Sequence, residues 1–262
     1  MRKITINLAA VAAFCIVVAS PALVSSSCAT PKTEQEDTTI IREDSGITAL
    51  KYSSPEVPAS IEFCGKTIDL SRFDRHERMD RELLAFTYMH STSLQMLKKA
   101  NRYFPIVEPI LKENGIPDDF KYLMVIESNM NPTARSSAGA AGLWQFMQGT
   151  GRDYGLEVNN NVDERYHIEK ATRAACRYLK DAYAKYKDWV AVAASYNAGQ
   201  ARIASQLAKQ DVDDSLDLQL VEETARYVYR ILAAKQLFNA PTTFGFRLRA
   251  SDLYPPIPYT EI

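Results

Sequence analysis

Glu127 is the side chain of this sequence best placed to move a proton. It follows the apolar run Leu123, Met124, Val125 and Ile126 and precedes SNMNP, where Pro132 forbids a continuing helix. Pro117 and Asp118 read as the helix start, with proline in the first turn and a carboxylate cap. This spacing sets Glu127 in or just before the last turn. There the negative end of the helix dipole and the apolar neighbours both favour the protonated form. A carboxylic acid held neutral near pH 7 is what general-acid chemistry requires. A lone glutamate at a helix end is more often plain surface, so the neighbouring motifs must decide.

Other chemistries are poorly supplied. The histidines are His76, His90 and His167, with no HExxH and no paired CxxC, so no metal site and no cofactor is expected. No glycine-flanked serine offers a nucleophile elbow. A net charge of -1 gives no field suited to nucleic acid. Fourteen tyrosines against two tryptophans supply rings with polar tips that suit carbohydrate.

Three blocks then occur in order: ES…NP…S…AGAAGLWQFM over 127–147, SYNAG over 195–199 and ETARYV over 223–228. Together they resemble the lytic transglycosylases with an SLT domain, an all-α, lysozyme-like fold that cleaves peptidoglycan. The likeness extends outward through FPIVEPILKENGIPDDFKYL and DERYHIEKAT, covers roughly residues 55–245, and is greatest to the membrane-bound type D branch. The departures are Met147-Gln148, where the family often has MP, and SYNAG, where it often has AYNAG.

The resemblance implies a division of labour. Glu127 protonates the oxygen between N-acetylmuramic acid and N-acetylglucosamine, then as a base draws the proton from the muramic C6 hydroxyl, which closes on C1. Ser128 orients local hydrogen bonds, and Ser136 contacts the reacting acetamido sugar. Gln145 and Met147 line the glycan groove, and Gly139 and Gly142 let backbone approach sugar. The Tyr196 hydroxyl steadies Glu127 or the acetamido group, with Asn197 beside it. Tyr227 joins the substrate-binding set, and Glu223 is a second, positioning carboxylate. Plainer readings stand beside these. Trp144, Phe146 and Tyr154 could be core, Asn197 and Gly199 a helix cap, and Glu223 a partner of Arg226 or Arg230. Two other functions compete: a hydrolytic muramidase of the goose-lysozyme kind, and a non-catalytic glycan-binding lipoprotein.

The rest of the chain must position and deliver these residues. Residues 1–27 read as an export signal, with Arg2 and Lys3 before an apolar run too short to anchor in a bilayer. LVSSSC resembles a lipoprotein cleavage site that would acylate Cys28, although Ser25 stands where an aliphatic residue is usual. An ordinary signal cleavage nearby is the alternative. Residues 28–60 are polar and without periodicity, a flexible tether from a lipid anchor at the cell envelope, with an outer-membrane lipoprotein favoured. The catalytic domain is expected over 61–245, with its motif core at 102–240.

Within that domain 61–70 suggests a short strand or a hairpin arm. Leu83, Phe86, His90, Leu94 and Leu97 form one helical stripe. A short helix over 103–114 is closed by Gly115. Further helices are marked by Ala175, Leu179, Ala182 and Tyr186, by 189–197, and by Tyr227, Ile231, Ala234 and Phe238. Residues 246–262 read as a Pro-rich tail packed along the domain, and no glycan-binding LysM repeat is present. Cys64 and Cys176 are compatible with a disulfide or with two buried thiols.

Overall fold

The computed structural model describes residues 54–257. The expected export signal, Cys28, nearly all of the expected tether and the last five residues lie outside the described residues.

The hairpin forms from β1 (Ser60–Phe63) and β2 (Lys66–Asp69), antiparallel with Ile61 opposite Ile68. Its two-residue turn holds both Cys64 and Gly65 at positive φ, the geometry that matches the twist of the flanking strands. One face buries Ile61, Phe63 and Ile68, as the period of two demands. Phe63 packs on Phe120, and the Cys64 N–H donates to Asp119 Oδ2 at 2.6 Å. The hairpin therefore braces the start of the helix that carries Glu127.

The stripe that reads as one helix is two. α1 (Phe73–Tyr88) and α2 (His90–Glu113) are separated at Met89, whose ψ of 48° breaks the ladder. Leu83, Phe86 and Leu97 are buried, whereas His90 and Leu94 are exposed beyond the break. The short helix expected over 103–114 is the second half of α2, which runs through Pro105 and Pro109. Both prolines face solvent, where water can take up the carbonyls they leave unbonded. Gly115 at φ 64° ends α2 as expected, with the Ile116 N–H returning to Leu111 O.

α3 (Phe120–Ser128) is deeply buried, with Phe120, Leu123, Met124 and Val125 all at zero exposure. Its start differs from expectation. Asp118 does not cap it but pairs with Lys121 at 2.5 Å, and Asp119 turns to Lys235 at 2.7 Å and to the hairpin. Backbone turns supply the entry instead, with Phe120 N–H to Pro117 O and Lys121 N–H to Asp118 O.

Then follow α4 (Gln148–Asp153), α5 (Ile168–Tyr186), α6 (Trp189–Ala198), α7 (Gln200–Lys209) and α8 (Glu222–Asn239). α6 is apolar all round because it is buried all round: Val190 to Ala194 are each at most 2% exposed. α3 and α6 both pack on α8. The domain is mainly helical, as the all-α expectation required. Cys64 and Cys176 are free thiols, and burial raises both pKa values.

The last segment is more anchored than a simple tail. Phe244 and Phe246 are buried, and the Tyr254 N–H donates to Lys98 O on α2. Asn101 and Arg102 return bonds to the carbonyls of Tyr254 and Pro255.

Candidate active site

Glu127 lies in the last turn of α3, which stops because Asn129 and Met130 both adopt left-handed backbone, at φ 49° and 55°. Met130 is fully buried, so the exit from the helix is pinned three residues past Glu127. The carboxyl is half-buried, and the Tyr227 hydroxyl, from α8, donates a short hydrogen bond to its Oε1. Burial is the main influence on its acidity and raises the pKa from 4.5 to about 7. The Tyr227 bond and the charge of Arg230 pull it back down, and the charge of Glu223 pushes it up. Burial and the nearby Glu127 charge hold the Tyr196 and Tyr227 hydroxyls well above their ordinary pKa, so both stay donors. Such a carboxyl can give up a proton near neutrality and take one back.

A stability consequence follows directly. The folded-state pKa of Glu127 is raised, so ionisation opposes folding. The penalty is absent below pH 4.5, grows as pH rises, and is complete above about 7. Glu127→Gln removes a cost of about 3 kcal/mol at pH 8 and none at pH 4. Urea unfolding of the two proteins at both pH values measures it, and parallel curves would refute it.

The loop after α3 is a compact hairpin-like lobe with bridges between Arg135 and Ala141 and between Ala141 and Phe146. Arg165 staples it from beneath. Its guanidinium pairs with Asp163 and donates to the carbonyls of Gly139 and Phe146 at 2.8 and 2.9 Å. Gly142, at φ 77°, has its missing Cβ position 1.9 Å from Arg165 O. Its need for glycine is thus the protein's own backbone, not close approach to a sugar.

The remaining expected site residues are placed as follows. Ser128 is buried, and its hydroxyl donates back to Met124 O at 3.4 Å. Ser136 shapes the loop turn, its Oγ accepting from the Ala140 N–H, and remains exposed. Gly139 has open space around it. Gln145 holds left-handed backbone and spends its side-chain amide on Ala134 O and Gly142 O, while Met147 is 45% exposed beside it.

Tyr196 gives its hydroxyl proton to Trp144 O at 2.7 Å, so Tyr227 rather than Tyr196 holds Glu127. Asn197 Oδ1 accepts from Thr224 Oγ1 at 2.8 Å, which ties the end of α6 to the start of α8. Glu223 is exposed one turn before Tyr227. Neither Arg226 nor Arg230 pairs with it; both bond Glu82.

Trp144 and Phe146 are core, and the Trp144 indole donates to Thr172. Glu82 and Arg165 lie outside the three motif blocks. The signal for Glu82 was available: it sits between Met79, Leu83 and Phe86 on the apolar stripe of α1, a poor place for an unpartnered carboxylate.

Fold and site together define a mainly helical domain built to hold one proton-active carboxyl between a buried helix end and a tyrosine of a neighbouring helix. Residues 105–217 match the transglycosylase SLT domain. It is 30% identical over 181 residues to membrane-bound lytic murein transglycosylase D of Escherichia coli K12, across 67% of this chain and 39% of that protein. It is also 30% identical over 138 residues to peptidoglycan transglycosylase gp16 of phage T7, across 50% of this chain and 10% of that protein. The chain thus spans about two fifths of the length of the transglycosylase D relative. Among solved structures, an inactive mutant of the lytic transglycosylase Slt from Pseudomonas aeruginosa is similar at a TM-score of 0.45 and 21% identity, over 54% of this chain and 24% of that one.

Proposed function

We propose that this protein is a lytic transglycosylase of peptidoglycan that cleaves the bond between N-acetylmuramic acid and N-acetylglucosamine. The observation that carries the reading is the Glu127 carboxyl, raised to about pH 7 and held by Tyr227 within the SLT domain. Protonated Glu127 donates to the glycosidic oxygen as the C1–O bond breaks, and the muramic 2-acetamido group stabilises the developing cation. The ionised carboxylate then takes the proton of the C6 hydroxyl, whose oxygen bonds to C1. A 1,6-anhydro end results, and the acid is restored.

A second enzymic carboxylate is unnecessary because the nucleophile belongs to the same sugar and acts at high effective molarity. Ser136, Gly139, Gln145 and Met147 serve as groove residues, Ser128, Tyr196 and Asn197 support them, and Glu223 adds a positioning charge. Tyr227 is assigned to aligning Glu127.

Digestion of purified sacculi in oxygen-18 water tests the reading. Anhydro ends lack the mass of one water and take up no label. Labelled reducing ends in the majority would make the enzyme a hydrolytic muramidase, with Glu223 the candidate base.

The envelope placement rests on the export signal and Cys28. Acylation of Cys28 would hold the domain at a membrane through the polar tether. Cys28→Ala then moves the protein from the membrane fraction to the soluble one, and a fatty-acid analogue labels only the wild type. Unlabelled wild-type protein in the soluble fraction would remove the anchor and leave the enzymic reading untouched.

A further inference from the structure

Glu82 is 1% exposed, yet it carries a carboxylate into the stripe between Met79, Leu83 and Phe86. An ion in such a place needs a partner. It has two. The Arg226 Nε donates to Oε1 at 2.6 Å, and the Arg230 Nε to Oε2 at 3.4 Å. One arginine would neutralise it, so the second leaves the cluster with a surplus positive charge. Each guanidinium has five donors, and these bonds use only Nε.

The cluster walls a cavity of about 260 Å³ whose other sides are Ala85, Phe86, Met89, Ile126 and Asn129. Ile126 and Asn129 flank Glu127 on either side in sequence, and the charge of Arg230 reaches the Glu127 carboxyl. Glu82, Arg226 and Arg230 all fall outside the matched segment 105–217.

We propose that this cavity binds a carboxylate of the stem peptide borne by the glycan strand, a reading that rests on the proposed peptidoglycan substrate. Fixed guanidiniums beside apolar walls suit a carboxylate on a short aliphatic chain. They suit a sugar poorly, because a sugar presents hydroxyls that need acceptors as well as donors. The stem hangs from the muramic ring, and Ile126 and Asn129, on either side of Glu127 in sequence, line the cavity, so a ring whose glycosidic oxygen meets Glu127 has the cavity as a neighbour. The buried Glu82 fixes both arginines in place before the peptide arrives, which lowers the ordering cost of binding.

The test compares three substrates: peptide-bearing glycan strands, the same strands with stem carboxylates converted to methylamides, and peptide-free glycan. The wild type should favour the first over the second by about tenfold in kcat/KM, as for a charge-assisted bond. Arg226→Gln should bring that ratio close to one through KM, with kcat little changed. Ala85→Phe, which fills the cavity and leaves every charge in place, should do the same and provides the reading if Arg226→Gln folds poorly.

The same three glycans are also titrated calorimetrically into Glu127→Gln protein, which needs no turnover. Carboxylate-dependent binding without cleavage by the wild type would overturn the enzymic reading and keep the cavity. A wild type indifferent to methylamidation, in cleavage and in binding, would overturn the cavity. So would a preference that survives both cavity variants.

Discussion

Glu127→Gln lowers kcat on purified sacculi by about 10²–10⁴-fold, the range general acid–base catalysis supplies. The shape of the side chain is retained, and the glutamine oxygen can still accept from the Tyr227 hydroxyl. What is lost is the transferable proton. Binding of glycan therefore persists, and the effect falls on kcat rather than KM. Thermal melts separate this result from misfolding, and above pH 7 the variant melts higher because it has no buried carboxylate to ionise. Activity of the wild type should fall as pH rises through about 7, when the acid form of Glu127 is lost. Wild-type turnover by the glutamine variant would remove Glu127 from the mechanism.

Gly142→Ala has the largest effect expected on folding. An added Cβ would sit 1.9 Å from Arg165 O and 2.8 Å from Arg165 C, both backbone atoms that cannot swing aside. The φ of 77° adds strain for any residue with a Cβ. Relief requires parting the loop from the 3₁₀ turn that carries Arg165. That would also break the bonds from its guanidinium to the carbonyls of Gly139 and Phe146. A loss of at least about 3–5 kcal/mol follows, the range reserved for clashes and broken buried networks. Gly139→Ala is the control: its φ is 89°, but nothing lies within 4 Å of the added methyl, so only the backbone strain of about 1–2 kcal/mol remains. Denaturant unfolding of the two variants distinguishes them, and equal midpoints would refute the steric account.

Some of the site was legible because it depends on local chemistry. Four apolar residues followed by Glu127 and a proline-terminated turn describe a buried helix end, whatever surrounds it. At 61–70 the sequence admitted a short strand or a hairpin arm, and the turn at Cys64-Gly65 decided for the hairpin. The division of the first stripe at Met89 was not, since the 3.6-residue period continues almost unbroken from α1 into α2. The passage of α2 through Pro105 and Pro109 was likewise hidden, because proline's cost depends on whether its freed carbonyl meets water.

By itself the sequence determined the helical class, the placement of Glu127 at a helix end, and the three motif blocks that resemble those of the SLT transglycosylases. These are properties of runs of neighbouring residues. Only the tertiary structure decided which of two tyrosines meets the acid. Tyr196 and Tyr227 are both aromatic hydroxyls near helix ends, yet one donates to Trp144 O and the other to Glu127, a partner 100 residues away. It likewise decided that Arg226 and Arg230 serve Glu82 instead of Glu223, and that Gly142 answers to Arg165. The first two outcomes depend on how α1, α3, α6 and α8 pack together, and the third on how the loop after α3 meets the turn that carries Arg165. Spacing along a chain fixes the face of a helix on which a side chain stands, and the burial of the whole core chooses what that face meets.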